Sequence, residues 1–573
     1  MRRAIIVAVA AMTALTVAAL AAARPAGPRA ATYVVVYETG VSKASARAAI
    51  RAADGTVVRE NAKVGVATVV TKNPSFLLEV SSDAAILGAT RNRPVGRIAP
   101  RVEPKIDAAQ ERQLRKALRG VRTMRGLKLA GSHRDAEPLA GLQWDMQMMH
   151  ATPTGSYQVE RGDQKVLVGI LDTGVDGTHP DIAPNFSNAL SRNFTTDVPL
   201  VDGPCANEPD GSCSDPANVD ENSHGTHVAS TIASPINGLG MAGVAPQVTI
   251  VNIRAGQDSG YFFLQPSVDA LTYAGDIGVD VANMSYFIDP WWMNCAANPA
   301  DSPTQQLEQR TIIAATQRAL DYAHAHGVTL IAAEGNEHTD LGKPTTDVLS
   351  PDFPPGTAYT RNVDNSCLVL PTEGNNVMSV SSVGPSKRKA DYSNYGLEQT
   401  TVAAPGGFFR DDPLWKASDP PAVRNLAGIP NQILAAFPKN VAEARGVLNP
   451  DGTPKTPSVV RDCRGSTCAY YQWIQGTSMA SPHAVGVASL IVSKYGDKRG
   501  GGITMDPHAV QEILQDTATD TPCPDPPLHS YADKLRPASF NALCEGTSEF
   551  NGFYGHGIVD ALAAVATPRG QGK

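Results

Sequence analysis

From Lys165 onward, near-continuous apolar runs alternate with helical stretches, and this alternation constrains the fold more than any other feature of the chain. A run such as "VLVGILD" has no polar face to offer water, so it belongs in a parallel sheet covered by helices on both sides. Further strands are predicted at "VTIVNIRA", "VDVANMSY", "VTLIAAEG", "VMSVSSV" and "TTVAAPG". Between the third and fourth of these six, Ile312, Thr316, Ala319, Leu320 and Ala323 recur at helical spacing, and Gly327 ends that helix. The expected fold class is α/β, a doubly wound, mainly parallel sheet. A chain of 573 residues is long enough for this core and a second unit.

Chemistry in such sheets collects at the carboxyl ends of the strands. Asp172 stands at one of them, in Asp172-Thr173-Gly174. Alone it could be half of an aspartic dyad, the orienting acid of a Ser-His-Asp triad, a metal ligand or a turn residue. A dyad would need Asp258 of Asp258-Ser259-Gly260, which follows a loop-like lead-in and leaves other features unexplained. Those features are "NSHGTHVAS", with His224 before a helix, and "QGTSMASPHAVG", with Ser478 at a helix start and Pro482 placed in the first turn. A serine hydroxyl is a poor nucleophile until an imidazole takes its proton, and the imidazolium needs a buried acid. His224 and His227 lack the Glu of H-E-x-x-H, so His227 is assigned to packing. His179, His483 and His556 receive no role.

Four segments, "ILDTGVDGTHPDI", "HGTHVAS", "AAEGNE" and "GTSMASPHAVG", followed by "GHGIVDALAAV", resemble in content and order the subtilisin-like serine peptidases over Leu142 to Val565. The resemblance implies Ser478 as nucleophile, His224 as general base, Asp172 as its orienting acid and Asn336 as oxyanion donor. It implies a substrate cleft bordered by Ser285, Tyr286 and Phe287 on one side and Ala333, Glu334 and Gly335 on the other. Phe287 stands where the family commonly has Gly, and Glu334 and Glu337 would favour basic side chains. No cofactor is implied for the chemistry. A structural calcium ion is implied at Asp181 and Asn237 with the carbonyls of Pro235, Leu239 and Met241, a loop without metal being the alternative. Insertions at 187–220, 286–304 and 407–471 exceed ordinary loop lengths and are expected to shape the cleft or bind partners. The rival functional reading is a catalytically silent peptidase-fold binding protein.

Ahead of this domain, Arg2 and Arg3 precede an apolar run and Ala21-Ala22-Ala23, the pattern of an export signal over 1–23. Residues 32–100 read as βαββαβ, a small α+β ferredoxin-like unit, with strands at "TYVVVYETG", "GTVVRE", "VGVATVVT" and "VGRIAP". This unit resembles, more weakly, the propeptide inhibitor domain of the same family. The basic stretch within 101–138 reads as a solvated linker holding the maturation site, and 139–567 as the catalytic domain. The expected product is a secreted, extracellular monomer acting on proteins or peptides, with its own propeptide as inhibitor. No later segment has the ~20 apolar residues of a membrane anchor, and a net charge of -7 argues against nucleic acid. Eight cysteines fit an oxidising compartment, paired as 205 with 213, 295 with 367, 463 with 468 and 523 with 544.

Overall fold

The computed structural model describes residues 30–92, 94–97, 137–199, 201–207, 211–288, 290–352, 356–498 and 502–566. The expected signal segment and residues 101–136 of the expected linker lie outside them. Four antiparallel strands form the N-terminal unit: β1 (Ala31–Tyr37), β2 (Gly55–Asn61), β3 (Val66–Thr71) and β4 (Ile86–Arg91), in the order β2-β3-β1-β4. Helices α1 (Lys43–Ala52) and α2 (Phe76–Ser81) cover one face, with Ile50 and Phe76 in one core with Val35 and Val69 of the sheet. The fourth strand is Ile86–Arg91, whereas "VGRIAP" was expected in that place. Its signal is weak because Gly88 and Ala89 are small; a Cβ on Gly88 would stand 2.3 Å from Thr311 Oγ1 of the neighbouring domain. Pro94–Arg97 instead forms a separate strand, β5.

The larger domain is built on a parallel sheet containing β6 (Leu167–Leu171), β7 (Thr249–Arg254), β9 (Val281–Met284), β10 (Thr329–Ala333), β11 (Val377–Val383) and β12 (Thr400–Pro405). Their order is β12-β11-β10-β9-β6-β7, with the two-residue strand Arg192–Asn193 at the far edge. All six predicted strands take part; the edge strand is too short to show a period. Alternate residues feed two cores, since Val168 and Ile170 pack with α3 (His224–Ala233) and α6 (Thr477–Tyr495). Leu171, Val251 and Ala282 pack on the other face with α4 (Leu264–Asp276) and α5 (Pro303–Ala325). In the parallel register Leu171 lies beside Met284 and Met284 beside Ala332. Asp172, Ser285 and the turn after Ala333 therefore emerge along one rim.

The N-terminal sheet turns Val34, Val36 and Val66 onto the core under α4 and α5. Polar contacts ring that seam: Arg59 Nε to Asp269 (2.6 Å), Asn61 Nδ2 to Asp269 (2.8 Å) and Arg318 Nη1 to the Tyr37 carbonyl (2.7 Å). Beyond them β5 pairs antiparallel with β8 (Tyr261–Phe263), Pro94 opposite Phe263 and Arg97 opposite Tyr261.

Disulfides join Cys205 to Cys213, Cys295 to Cys367, Cys463 to Cys468 and Cys523 to Cys544, the four expected pairs. Cys295–Cys367 ties together the segments flanking α5 and β10, and Arg361 is buried beside it. Its guanidinium meets Asp301 (2.8 Å), Asp347 (2.5 Å) and the Met293 carbonyl (2.6 Å). Replacing Arg361 with Met would leave two buried carboxylates without their cation, a loss of about 3–5 kcal/mol. The expected outcome is a lowered thermal midpoint for Arg361→Met, read by calorimetry.

Candidate active site

Asp172 follows β6 and is fully buried, with His224 beside it at the start of α3. His224 Nδ1 lies 2.8 and 3.0 Å from the two carboxylate oxygens, and Asp172 Oδ1 also accepts the Thr173 N–H at 2.7 Å. The approach depends on Gly225, where a Cβ would stand 2.1 Å from the Gly174 carbonyl oxygen and 3.0 Å from Asp172 Cβ. Asp220, overlooked in the sequence, holds the helix start: it accepts the N–H groups of Asn222, Ser223 and Thr226 and the Thr226 hydroxyl. Its only sequence signal is an acid four residues ahead of His224.

Ser478 is the second residue of α6, and Pro482 lies in the second turn, not the first. This shift has a consequence. Without an N–H, Pro482 leaves the Ser478 carbonyl without its usual helical donor, and the Ser285 hydroxyl donates to it instead at 3.0 Å. Ser478 Oγ in turn donates to the Ser285 carbonyl at 3.3 Å. Buried Asn283 steadies the pair by donating to Ser285 Oγ (2.9 Å) while accepting from Ser481 (2.9 Å). The Ser478 hydroxyl is thus hydrogen-bonded to the end of the strand that neighbours the one ending in Asp172.

Asn336 stands across the cleft. Its Oδ1 accepts the Thr477 N–H (2.9 Å) and hydroxyl (3.1 Å), so its side-chain N–H₂ is the part left to donate. Asn336 and Ser478 line one cavity of about 410 Å³, open mouth included, together with all six residues expected to border the substrate: Ser285, Tyr286, Phe287, Ala333, Glu334 and Gly335. Trp292 and Val369 also line it; sequence reasoning missed them because they come from distant segments. The expectation that the two acids draw basic side chains is not supported by their partners. Glu334 turns to the Thr400 hydroxyl (2.6 Å), and burial pushes its carboxyl well above the usual range. Glu337 Oε2 takes the Asn336 N–H (2.8 Å) and the Asn394 amide (2.7 Å).

Other assignments separate. Asp258 pairs with Arg254 (2.9 Å), as does Asp215 (2.5 Å), so each candidate acid of a dyad has its own cationic or imidazole partner. His227 Nε2 faces the carbonyls of Ile433 and Gln472, a packing role. His179 bridges the Tyr470 carbonyl and the Asp181 N–H, His483 pairs with Asp145 at 3.0 Å, and His556 packs on Phe550. The residues of the expected calcium set lie together, and their side chains bond to one another and to neighbours. Asp181 Oδ1 accepts Asn237 Nδ2 (3.1 Å), and its Oδ2 accepts the Met241 N–H (3.2 Å) and the Tyr471 hydroxyl (3.0 Å). The Asn237 side-chain oxygen takes the Leu239 N–H, and the Arg464 guanidinium donates to the Asn237 carbonyl. The two side chains of the expected set thus already meet donors.

A buried carboxylate on an imidazole, a hydroxyl at a helix start and an amide donor across one cavity can activate the hydroxyl and stabilise negative charge on a carbonyl oxygen. Comparisons with known proteins agree with this chemistry. The profile of the Subtilase family matches residues 163–557. Subtilisin DY of Bacillus licheniformis is 26% identical over 355 residues, 62% of this chain and 84% of that protein. Fervidolysin of Fervidobacterium pennivorans is 24% identical over 67% of this chain but only 41% of its own length. The solved Epidermin Leader Peptide Processing Serine Protease (EpiP) of Staphylococcus aureus shares the fold at a TM-score of 0.61 and 19% identity, covering 95% of this chain and 100% of that one.

A Gly225→Ala variant should push α3 off Asp172 by about an ångström, a displacement that costs about 10²-fold in such sites. Modification of Ser478 by an organophosphonate, followed by mass spectrometry, should slow by that factor while the circular dichroism stays native.

Proposed function

The chain belongs to the subtilase family, and from that premise we propose that it is a secreted, self-inhibited serine endopeptidase that cuts peptide bonds through an acyl-enzyme on Ser478. The observation that carries the reading is the buried Asp172–His224 pair beside Ser285, whose carbonyl holds Ser478 Oγ. That 3.3 Å bond is long for an O–H donor, so rotating the hydroxyl toward His224 costs little. Ser478 Oγ then attacks the substrate carbonyl carbon as His224 Nε2 takes its proton, and Asp172 keeps Nδ1–H in place and stabilises the imidazolium. The C=O pair moves onto oxygen, toward the Asn336 amide and the Ser478 N–H. Its return expels the amine, which takes the proton from His224. Water repeats the sequence and frees the acid.

Self-inhibition is supported by the course of β5. From Pro94 to Arg97 the chain runs antiparallel along β8 from Phe263 to Tyr261, on the hairpin that follows β7, where the Ala255 and Gly256 N–H groups bond to the Asp172 carbonyl at 3.0 and 3.1 Å. Secretion is supported by the export pattern at residues 1–23 and by four disulfides, which persist in oxidising compartments. No described helix is long and apolar enough to cross a membrane.

The expected outcome is that the wild-type chain shortens itself and hydrolyses peptides, while Ser478→Ala accumulates at full length and hydrolyses none. Asn336→Ala should retain processing in slowed form, with turnover reduced about 10²–10³-fold. Electrophoresis of the purified chains and a fluorogenic peptide assay read both; normal shortening and turnover in Ser478→Ala would overturn the reading.

A further inference from the structure

We propose that Trp292 is the specificity-determining residue of this cleft: clamped beside the Cys295–Cys367 disulfide, its indole walls the cavity next to Ser478, so that the residue donating the acyl group must carry a short apolar side chain. This inference rests on the endopeptidase reading above. The cavity lined by Ser478 and Asn336 opens where the attacked carbonyl must lie, and the side chain nearest that carbonyl is therefore the one that enters. Its near walls come from the strand ends, at Ser285 and Ala333. A further wall comes from two segments far apart in the chain. Trp292 lies three residues before Cys295 and Val369 two residues after Cys367, and both line the cavity.

That wall is built to stay where it is. Asn294–Cys295 and Cys367–Leu368 pair as a short antiparallel ladder across the disulfide, and Trp292, Met293, Val363 and Val369 form one apolar cluster. The Trp292 N–H donates to Ser350 Oγ at 2.7 Å, and Arg361 grips the Met293 carbonyl at 2.6 Å. These bonds fix the backbone at Trp292, and the indole, only 4% exposed, packs in the apolar cluster, so a long or aromatic side chain could displace it only by disrupting that packing. Nor does the cavity call for a cation, because Glu334 turns away to Thr400 and Glu337 Oε2 serves Asn336 and Asn394.

The test uses the full-length chain after maturation and fluorogenic peptides that differ only in the residue before the cut: Ala, Leu, Phe or Lys. Wild type should prefer Ala or Leu to Phe by at least about tenfold in kcat/KM, the scale on which a pocket discriminates by size. Trp292→Ala should raise the Phe-to-Ala ratio at least about tenfold, and Val369→Ala, on the opposite arm of the clamp, should raise it less. A small organophosphonate reports whether each variant retains a competent Ser478, and Val369→Ala carries the test if Trp292→Ala does not fold. Labelled variants with the wild-type ratio, or a wild type that favours Phe or Lys, would overturn the proposal and leave the endopeptidase reading standing. A folded wild-type chain that neither labels nor cleaves would instead remove that reading, and this proposal with it.

Discussion

The site depends on a buried carboxylate held by hydrogen-bond donors. Asp172 is fully buried, a position that penalises its charge unless donors surround it. The Thr173 N–H and the His224 ring supply those donors. Both are delivered by local geometry: the turn after β6 aims Thr173, and Gly225 lets α3 approach closely enough for the imidazole to reach. The parallel register supplies the rest by bringing Ser285 level with Asp172 on the neighbouring strand. Ser478 is then held to that strand end by reciprocal hydrogen bonds, one of which exists because Pro482 has no N–H to give.

The same electrostatic logic recurs away from the rim. Where the chain buries an arginine it surrounds it with acids: Arg254 with Asp215 and Asp258 beside the Cys205–Cys213 segment, and Arg361 with Asp301 and Asp347 beside Cys295–Cys367. Such sites contribute less to net stability than to fixing one arrangement, since breaking either pair leaves a buried charge. The insertions thereby become rigid walls. The loop around Asp181 is closed in a comparable way by Tyr471 and Arg464, which donate to the Asp181 carboxylate and the Asn237 carbonyl.

Much of this was legible in the residues. The six strands announce themselves by apolar runs too continuous for any half-exposed sheet, and Asp172, His224, Asn336 and Ser478 lie in segments whose order suggested one site. What stayed hidden has physical causes. Ile86–Arg91 was missed because Gly88, small where α5 approaches, and Ala89, small on the opposite face, give little apolar signal, and Arg192–Asn193 because two residues carry no period. Trp292 and Val369 are brought together by a disulfide whose partners are 72 residues apart, a relation that local pattern cannot express. The Asp181 loop shows oxygen-bearing residue types in its sequence but not the hydrogen-bond donors that occupy them.

The central claim is that the Asp172–His224 pair activates Ser478. The direct measurement is the rate at which an organophosphonate modifies Ser478 in the wild type and in Asp172→Asn, with folding checked by circular dichroism. An amide in place of the acid should leave the imidazole in the wrong tautomer and slow modification by about 10⁴-fold. A folded Asp172→Asn chain modified within a few-fold of the wild-type rate would contradict the account.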